Sequence, residues 1–166
     1  MRLLSLLVVV AQVLLAVPAF ADAYEDGLAA YLARNYANAV KFWEPVAEAG
    51  NAGAQNSMGV LYQNGQGVPK DEAMAAKWFL RAALNGNSDA QLNLGSMYEN
   101  GRGVARDLVR AHKWYDIASA VGGMRPNPIE AITARNRVAA KMNADDITLA
   151  KTLAQKCRDS KFWECD

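Results

Sequence analysis

The chain has 166 residues, room for one ordinary domain or a short repeat array, and 18 basic against 17 acidic side chains leave neither a basic stripe for nucleic acid nor an acidic tail. Twelve glycines and five prolines are too few for a disordered or collagen-like chain, whereas 52% hydrophobic content rich in alanine fits packed helices. One His and two Cys are too few for a zinc cage of four nitrogen and sulfur ligands, so no metal or cofactor is expected.

Met1-Arg2 gives a short positive start, and Leu3 to Val17 is apolar apart from Ser5 and Gln12. That is the length of a signal-peptide core and short of the ~20 residues that a membrane-spanning helix needs. Pro18 breaks the run and Ala19-Phe20-Ala21 supplies the small-x-small pattern read by signal peptidase. The expectation is a signal peptide over 1–21, a mature chain from Asp22, and a periplasmic or secreted protein without stable membrane insertion.

A period of 36 residues follows. Gly50, Gly86 and Gly122 stand 36 apart, and residues 54–86 share 14 identities with 90–122, among them Gly59/Gly95, Tyr62/Tyr98, Asp71/Asp107 and Trp78/Trp114. Each unit reads as helix, loop, helix. Over 88–100 the small or apolar Ala90, Leu94, Gly95, Met97 and Tyr98 recur at helical spacing, and Asn100-Gly101 is a left-handed C-terminal stop. Asp107 is placed to cap the next helix, whose Ala111, Trp114, Tyr115, Ala118 and Val121 form one stripe before Gly122. Gly59 and Gly95 read as points where helices cross closely.

The pattern A-x4-G-x2-Y-x2-G-x-G-V-x2-D-x3-A-x2-W-x3-A, present at 54–82 and 90–118, resembles the Sel-one-like repeat (SLR), a relative of the tetratricopeptide repeat. A degenerate copy lies upstream, where Ala39, Phe42, Trp43, Ala47 and Gly50 echo Ala75, Trp78, Phe79, Ala83 and Gly86; its loop is shorter, and Pro45 is expected to interrupt its second helix. The resemblance implies an all-α superhelix (solenoid) with repeats at 24–50, 52–86 and 88–122. It also implies a C-terminal helical cap over 123–166, built from two helices. Asn127-Pro128 starts the first of these, with Ile129, Ile132, Val138 and Met142 on its apolar face together with the intervening alanines. Asn143 with Asp145-Asp146 opens the second, with Ile147, Leu149, Ala150, Leu153 and Ala154 inward. Covering the last repeat keeps an array soluble.

Little here points to chemistry. His112, the single histidine, reads as a solvated helical residue, since the equivalent position one repeat earlier is Ala76. No catalytic residue is assigned. Gly65-Gln66-Gly67 and Gly101-Arg102-Gly103 lack the preceding strand and following Lys-Ser/Thr of a phosphate loop and read as tight turns. Trp43, Trp78, Trp114, Tyr62 and Tyr98 read as core, and Trp163 as partly exposed. Cys157 and Cys165, in an exported chain, are expected to form a disulfide closing a nine-residue loop, worth about 2–3 kcal/mol on the chain-entropy estimate.

By analogy with tetratricopeptide packing, a protein or peptide partner would lie in the concave groove, against Asn56, Val60, Gln63 and Asn64 of one repeat and Leu92, Ser96, Glu99 and Asn100 of the next. These are mostly neutral groups, suited to main-chain hydrogen bonds with an extended segment. The reading is a non-enzymatic interaction scaffold. The alternative is a cell-wall-related or β-lactam-binding or -hydrolysing protein resembling the cysteine-rich SLR branch, from which this sequence departs by having no cysteine inside its repeats.

Overall fold

Asparagine and aspartate set the helix starts. In the computed structural model, which describes residues 22–120, 128–163 and 165, the Asn51 and Asn87 side chains accept from the Ala54 and Ala90 amides at 2.9 and 2.8 Å. Asp71 and Asp107 accept from the Met74 and Arg110 amides, both at 2.9 Å. Each bond satisfies a backbone donor that the first helical turn leaves without an intrahelical partner. The described residues form eight helices and no strand: α1 over 22–32, α2 Tyr36–Glu48, α3 Ala52–Asn64, α4 Glu72–Leu84, α5 Ser88–Asn100, α6 Leu108–Ala120, α7 Pro128–Ala139 and α8 Ala144–Asp159. The predicted signal segment 1–21, with its cleavage site, and the residues Val121, Gly122 and Asn127 lie outside the described residues.

Helices α3 and α5 stop at Gly65 and Gly101, whose φ of 68° and 66° is a left-handed conformation costly for other residues. The chain then turns through Gly67 and Gly103, which press against the backbone at the starts of α2 and α4. A Cβ on either glycine would fall within 3 Å of the amide nitrogen of Ala37 or Ala73.

Pairing within a unit follows one rule, a glycine on the first helix under a ring on the second. Phe79 covers Gly59 and Tyr115 covers Gly95, where an added Cβ would stand 2.6 and 2.7 Å from ring carbons. Trp43 covers Gly27 in the same way and its Nε1 donates to the Tyr24 carbonyl at 3.0 Å, so the degenerate first copy folds as a full helix pair. Trp43, Trp78 and Trp114 are buried, as expected of core residues. Fully burying an aromatic or aliphatic side chain of this kind contributes about 1.5–3 kcal/mol. Successive units are tied by a bond that repeats with the sequence: buried Gln55 donates to the Ala47 carbonyl at 2.9 Å, and buried Gln91 to the Ala83 carbonyl at 3.2 Å.

Three expectations need correction. Pro45 does not interrupt α2, which runs through to Glu48. The proline sits on the exposed side of the last turn, and the carbonyl it leaves without an intrahelical donor belongs to Lys41, itself exposed. On α7 the inward stripe is Ala131, Ala134 and Val138, while Ile129 and Ile132 are exposed. Ala134 and Val138 join the cluster that holds Trp114, Tyr115 and Ile117 of α6. On α8, Ala150 and Ala154 are buried as expected, joined by Cys157, but Leu149 is exposed. Both α7 and α8 pack against α6. No described helix is long and apolar enough to cross a membrane.

Candidate functional site

The first helices of successive units lie side by side, Asn93 of α5 donating to the Asn56 side chain of α3 at 3.3 Å. Two clefts open on this face. One, of about 170 Å³, is lined by Leu28 and Tyr31 of α1, Trp43 of α2, and Asn56, Ser57 and Val60 of α3. The other, of about 310 Å³, is lined by Leu92, Asn93 and Ser96 of α5, Tyr115 of α6, and Glu130, Thr133, Ala134 and Arg137 of α7. The first cleft has no ionisable group but Tyr31; the second adds a carboxylate and a guanidinium at its α7 wall.

Of the groove residues expected from sequence, Asn56 and Val60 line the first cleft, and Leu92 and Ser96 the second. Gln63 is half-buried beside them and borders neither. Asn64 and Asn100 are exposed at the helix ends and bond locally, Asn64 to the Gln66 side chain at 3.3 Å and Asn100 to the Ser96 carbonyl at 2.8 Å. Sequence reasoning misses the two end walls. Gly27, aligned under a ring like Gly59, is the available signal that α1 carries Leu28 and Tyr31 into line with α3, whereas nothing in the repeat pattern announces Thr133 or Arg137.

Glu99 departs most from the expected solvated groove residue. It is buried, and its carboxylate accepts from Arg137 Nε and Nη2 at 3.0 and 2.6 Å, from Lys141 Nζ at 3.3 Å and from the Tyr115 hydroxyl at 3.0 Å. The Arg137 guanidinium, outweighing burial, pulls its pKa down to about 2, with help from Tyr115 and Lys141. Burial and the Glu99 hydrogen bond push the Tyr115 phenol up. The reason is positional: α7 crosses over the end of α5, so a carboxylate that would face water in an open array meets two cations of the C-terminal region.

His112 is likewise buried and not solvated, because α6 is enclosed by α5, α7 and α8. Burial lowers its pKa against the opposing pull of Asp116, and its Nδ1 finds no partner among the described residues. Asp116 is held by Arg135 at 2.8 Å and Arg158 at 2.9 Å, tying α6 to α7 and α8. Its burial raises the carboxyl pKa, but the two arginines prevail and the net shift is downward. Neither group is therefore presented to a substrate. Cys157 and Cys165 are joined by a disulfide with Cα atoms 4.5 Å apart, and Trp163 is 89% exposed. Among the described residues no group of three or more His, Cys, Asp or Glu side chains is placed to hold a metal ion.

The Sel1 repeat family model matches residues 9–51, 52–87 and 88–123, its first copy reaching back into the predicted signal segment. Among solved structures, a protective antigen of uropathogenic Escherichia coli displaying an SLR fold is similar at 29% identity and a TM-score of 0.77, over 86% of this chain and 31% of that one. A Sel1 repeat protein from Oxalobacter formigenes is similar at 34% identity and a TM-score of 0.62, over 69% of this chain and 45% of its own. The chain thus spans less than half the length of either. No curated protein matches it. Sel1 repeat proteins generally serve as scaffolds for protein–protein interaction and not as enzymes. The 36-residue unit, the glycine-under-ring pairing and three family matches across most of the sequence agree that this chain belongs to the Sel1 repeat family.

Proposed function

We propose that this protein is a non-enzymatic scaffold, exported to the periplasm or beyond with residues 1–21 removed, and that it binds an extended segment of a protein partner along the face of α1, α3, α5 and α7. The observation that carries the reading is the pair of clefts on one face, joined by the Asn56–Asn93 bond and walled largely by half-buried neutral side chains. Half-buried amides and hydroxyls beside apolar walls can hold a peptide backbone by hydrogen bonds while side chains enter the clefts. On this reading α7 and α8 act as the cap of the array, since both cover α6.

A photo-crosslinking amino acid placed at Val60 or Leu92 should give a discrete adduct in intact cells, one at Thr152 on exposed α8 should not, and Ser96→Arg should abolish the first two. Adducts at Thr152 alone would move the site off this face. Intact mass of the exported protein should begin at Asp22; a mass that retains 1–21 would overturn the export reading.

A further inference from the structure

We infer that the tail after α8, Ser160 to Trp163 together with Cys165, forms a redox-released cover over Lys113, closed by the Cys157–Cys165 disulfide. The inference does not depend on the cleft reading. The internal duplication supplies the control: Lys77 and Lys113 occupy the same repeat position, yet Lys77 is exposed and Lys113 is 2% exposed. What differs is the C-terminal region: α7 and α8 pack on α6 but not on α4, and the tail after α8 completes that cover at Lys113. After α8 the chain turns back, the Phe162 amide donating to the Cys157 carbonyl at 2.9 Å, and the Cys165 carbonyl accepts from the Lys113 ammonium. Phe162 is half-buried, and a Cβ placed on Gly86, at the turn between α4 and α5, would stand 3.9 Å from its ring. An ammonium is seldom taken out of water without a partner, and here a partner comes from a residue fixed by the bridge.

The path that brings it there is strained. Lys161 and Phe162 have φ of 52° and 71°, two consecutive side-chain-bearing residues in the left-handed region. Trp163 adds little burial to offset this, being 89% exposed. The covalent link therefore holds a segment whose own backbone opposes closure, and the burial of Cys165 and Phe162 against the core shared by α4, α5 and α6 favours it.

Opening is a thiol–disulfide exchange with a dithiol. One dithiol sulfur attacks Cys165 Sγ, the less enclosed of the pair, forming a mixed disulfide and expelling the Cys157 thiolate, which takes up a proton. The second dithiol sulfur displaces Cys165, also protonated, so that the bridge gains two electrons and the reagent leaves as a cyclic disulfide.

The test uses the purified full chain, oxidised and then treated with dithiothreitol, with an N-hydroxysuccinimide acetylating reagent and mass spectrometry. Reduction should raise the labelling rate of Lys113 at least about tenfold and speed amide exchange over 158–165, leaving Lys77 labelling and exchange in α3–α5 unchanged. Cys165→Ser should reproduce the reduced pattern without reductant. Three results would overturn the inference: no bridge in the oxidised protein, Lys113 equally protected after reduction, or loss of protection throughout the repeats, which would make the bridge a staple of the whole fold.

Discussion

The second and third repeats are two editions of one unit, and they differ where their neighbours differ. In α3/α4 the positions 36 residues apart hold Gln63, Ala76, Phe79 and Leu80; in α5/α6 they hold Glu99, His112, Tyr115 and Asp116. The skeleton is common, down to the same cap, the same left-handed stop and the same glutamine bond to the preceding unit. What changed is the chemistry of the side that meets the next element. Repeat two is followed by another repeat and joins it through apolar packing and neutral hydrogen bonds; repeat three is followed by α7 and α8 and joins them through apolar packing and, in addition, through Glu99 and Asp116, each gripped by two cations. A repeat's backbone contacts are thus generic, while a few paired polar substitutions specify which element follows.

The largest loss is expected from the core that both editions share. Trp78→Ala and Trp114→Ala should each cost about 3–5 kcal/mol in urea unfolding. A variant that melts within a degree or two of the parent would place that tryptophan outside the core.

Next come the positions that differ. Glu99→Ala should cost about 2–3 kcal/mol, since it removes an acceptor shared by Arg137, Lys141 and Tyr115 while Arg137 keeps partial access to water. Gln63→Ala, its counterpart, should stay within about 0.5 kcal/mol. Equal losses would mean that α7 is not held by the ion pairs.

Changing pH should separate the two editions further. The folded-state pKa of His112 is lowered from 6.5, so stability should begin to fall as pH drops below 6.5, where the unfolded chain takes up a proton that the folded one resists. Glu99 is lowered from 4.5 to about 2, so its contribution is complete above 4.5 and is lost as pH falls from there toward 2. Glu99→Gln should flatten the second decline and His112→Gln the first, read from unfolding midpoints across pH. Neither group has an ionisable equivalent in repeat two.

The smallest expected effect is that of Asn64→Ala with Asn100→Ala. Both side chains are exposed and bond only locally, so stability should change by less than about 1 kcal/mol. A larger loss in thermal melting would show that they fasten the turns.

The repeats are legible in the sequence because identity at a fixed spacing reports pairwise geometry directly: Gly59 with Phe79 and Gly95 with Tyr115 are one contact written twice. The disulfide is legible from number and expected compartment. The C-terminal helices are legible in their number and their starts at Pro128 and Asn143, but their inward faces only in part: Ala131, Ala134, Val138, Ala150 and Ala154 are buried as expected, whereas Ile129, Ile132 and Leu149 stay outside, because a large apolar residue suggests burial wherever it stands. Glu99 and His112 escape for another reason: a residue's exposure depends on what lies over it, and no periodicity reports the position of α7. The α7 wall of the second cleft is hidden for the same reason.

The seating of Gly67 and Gly103 on the backbone at the starts of α2 and α4 has a consequence for how such a molecule lengthens. Main chain touching main chain is a gauge that no side chain can widen or narrow, and α2 to α6 are each 13 residues long, about 20 Å of helix. Each unit is therefore a brick of fixed thickness and width, and a further 36-residue brick laid between the second and third would find both its mortar joints already cut.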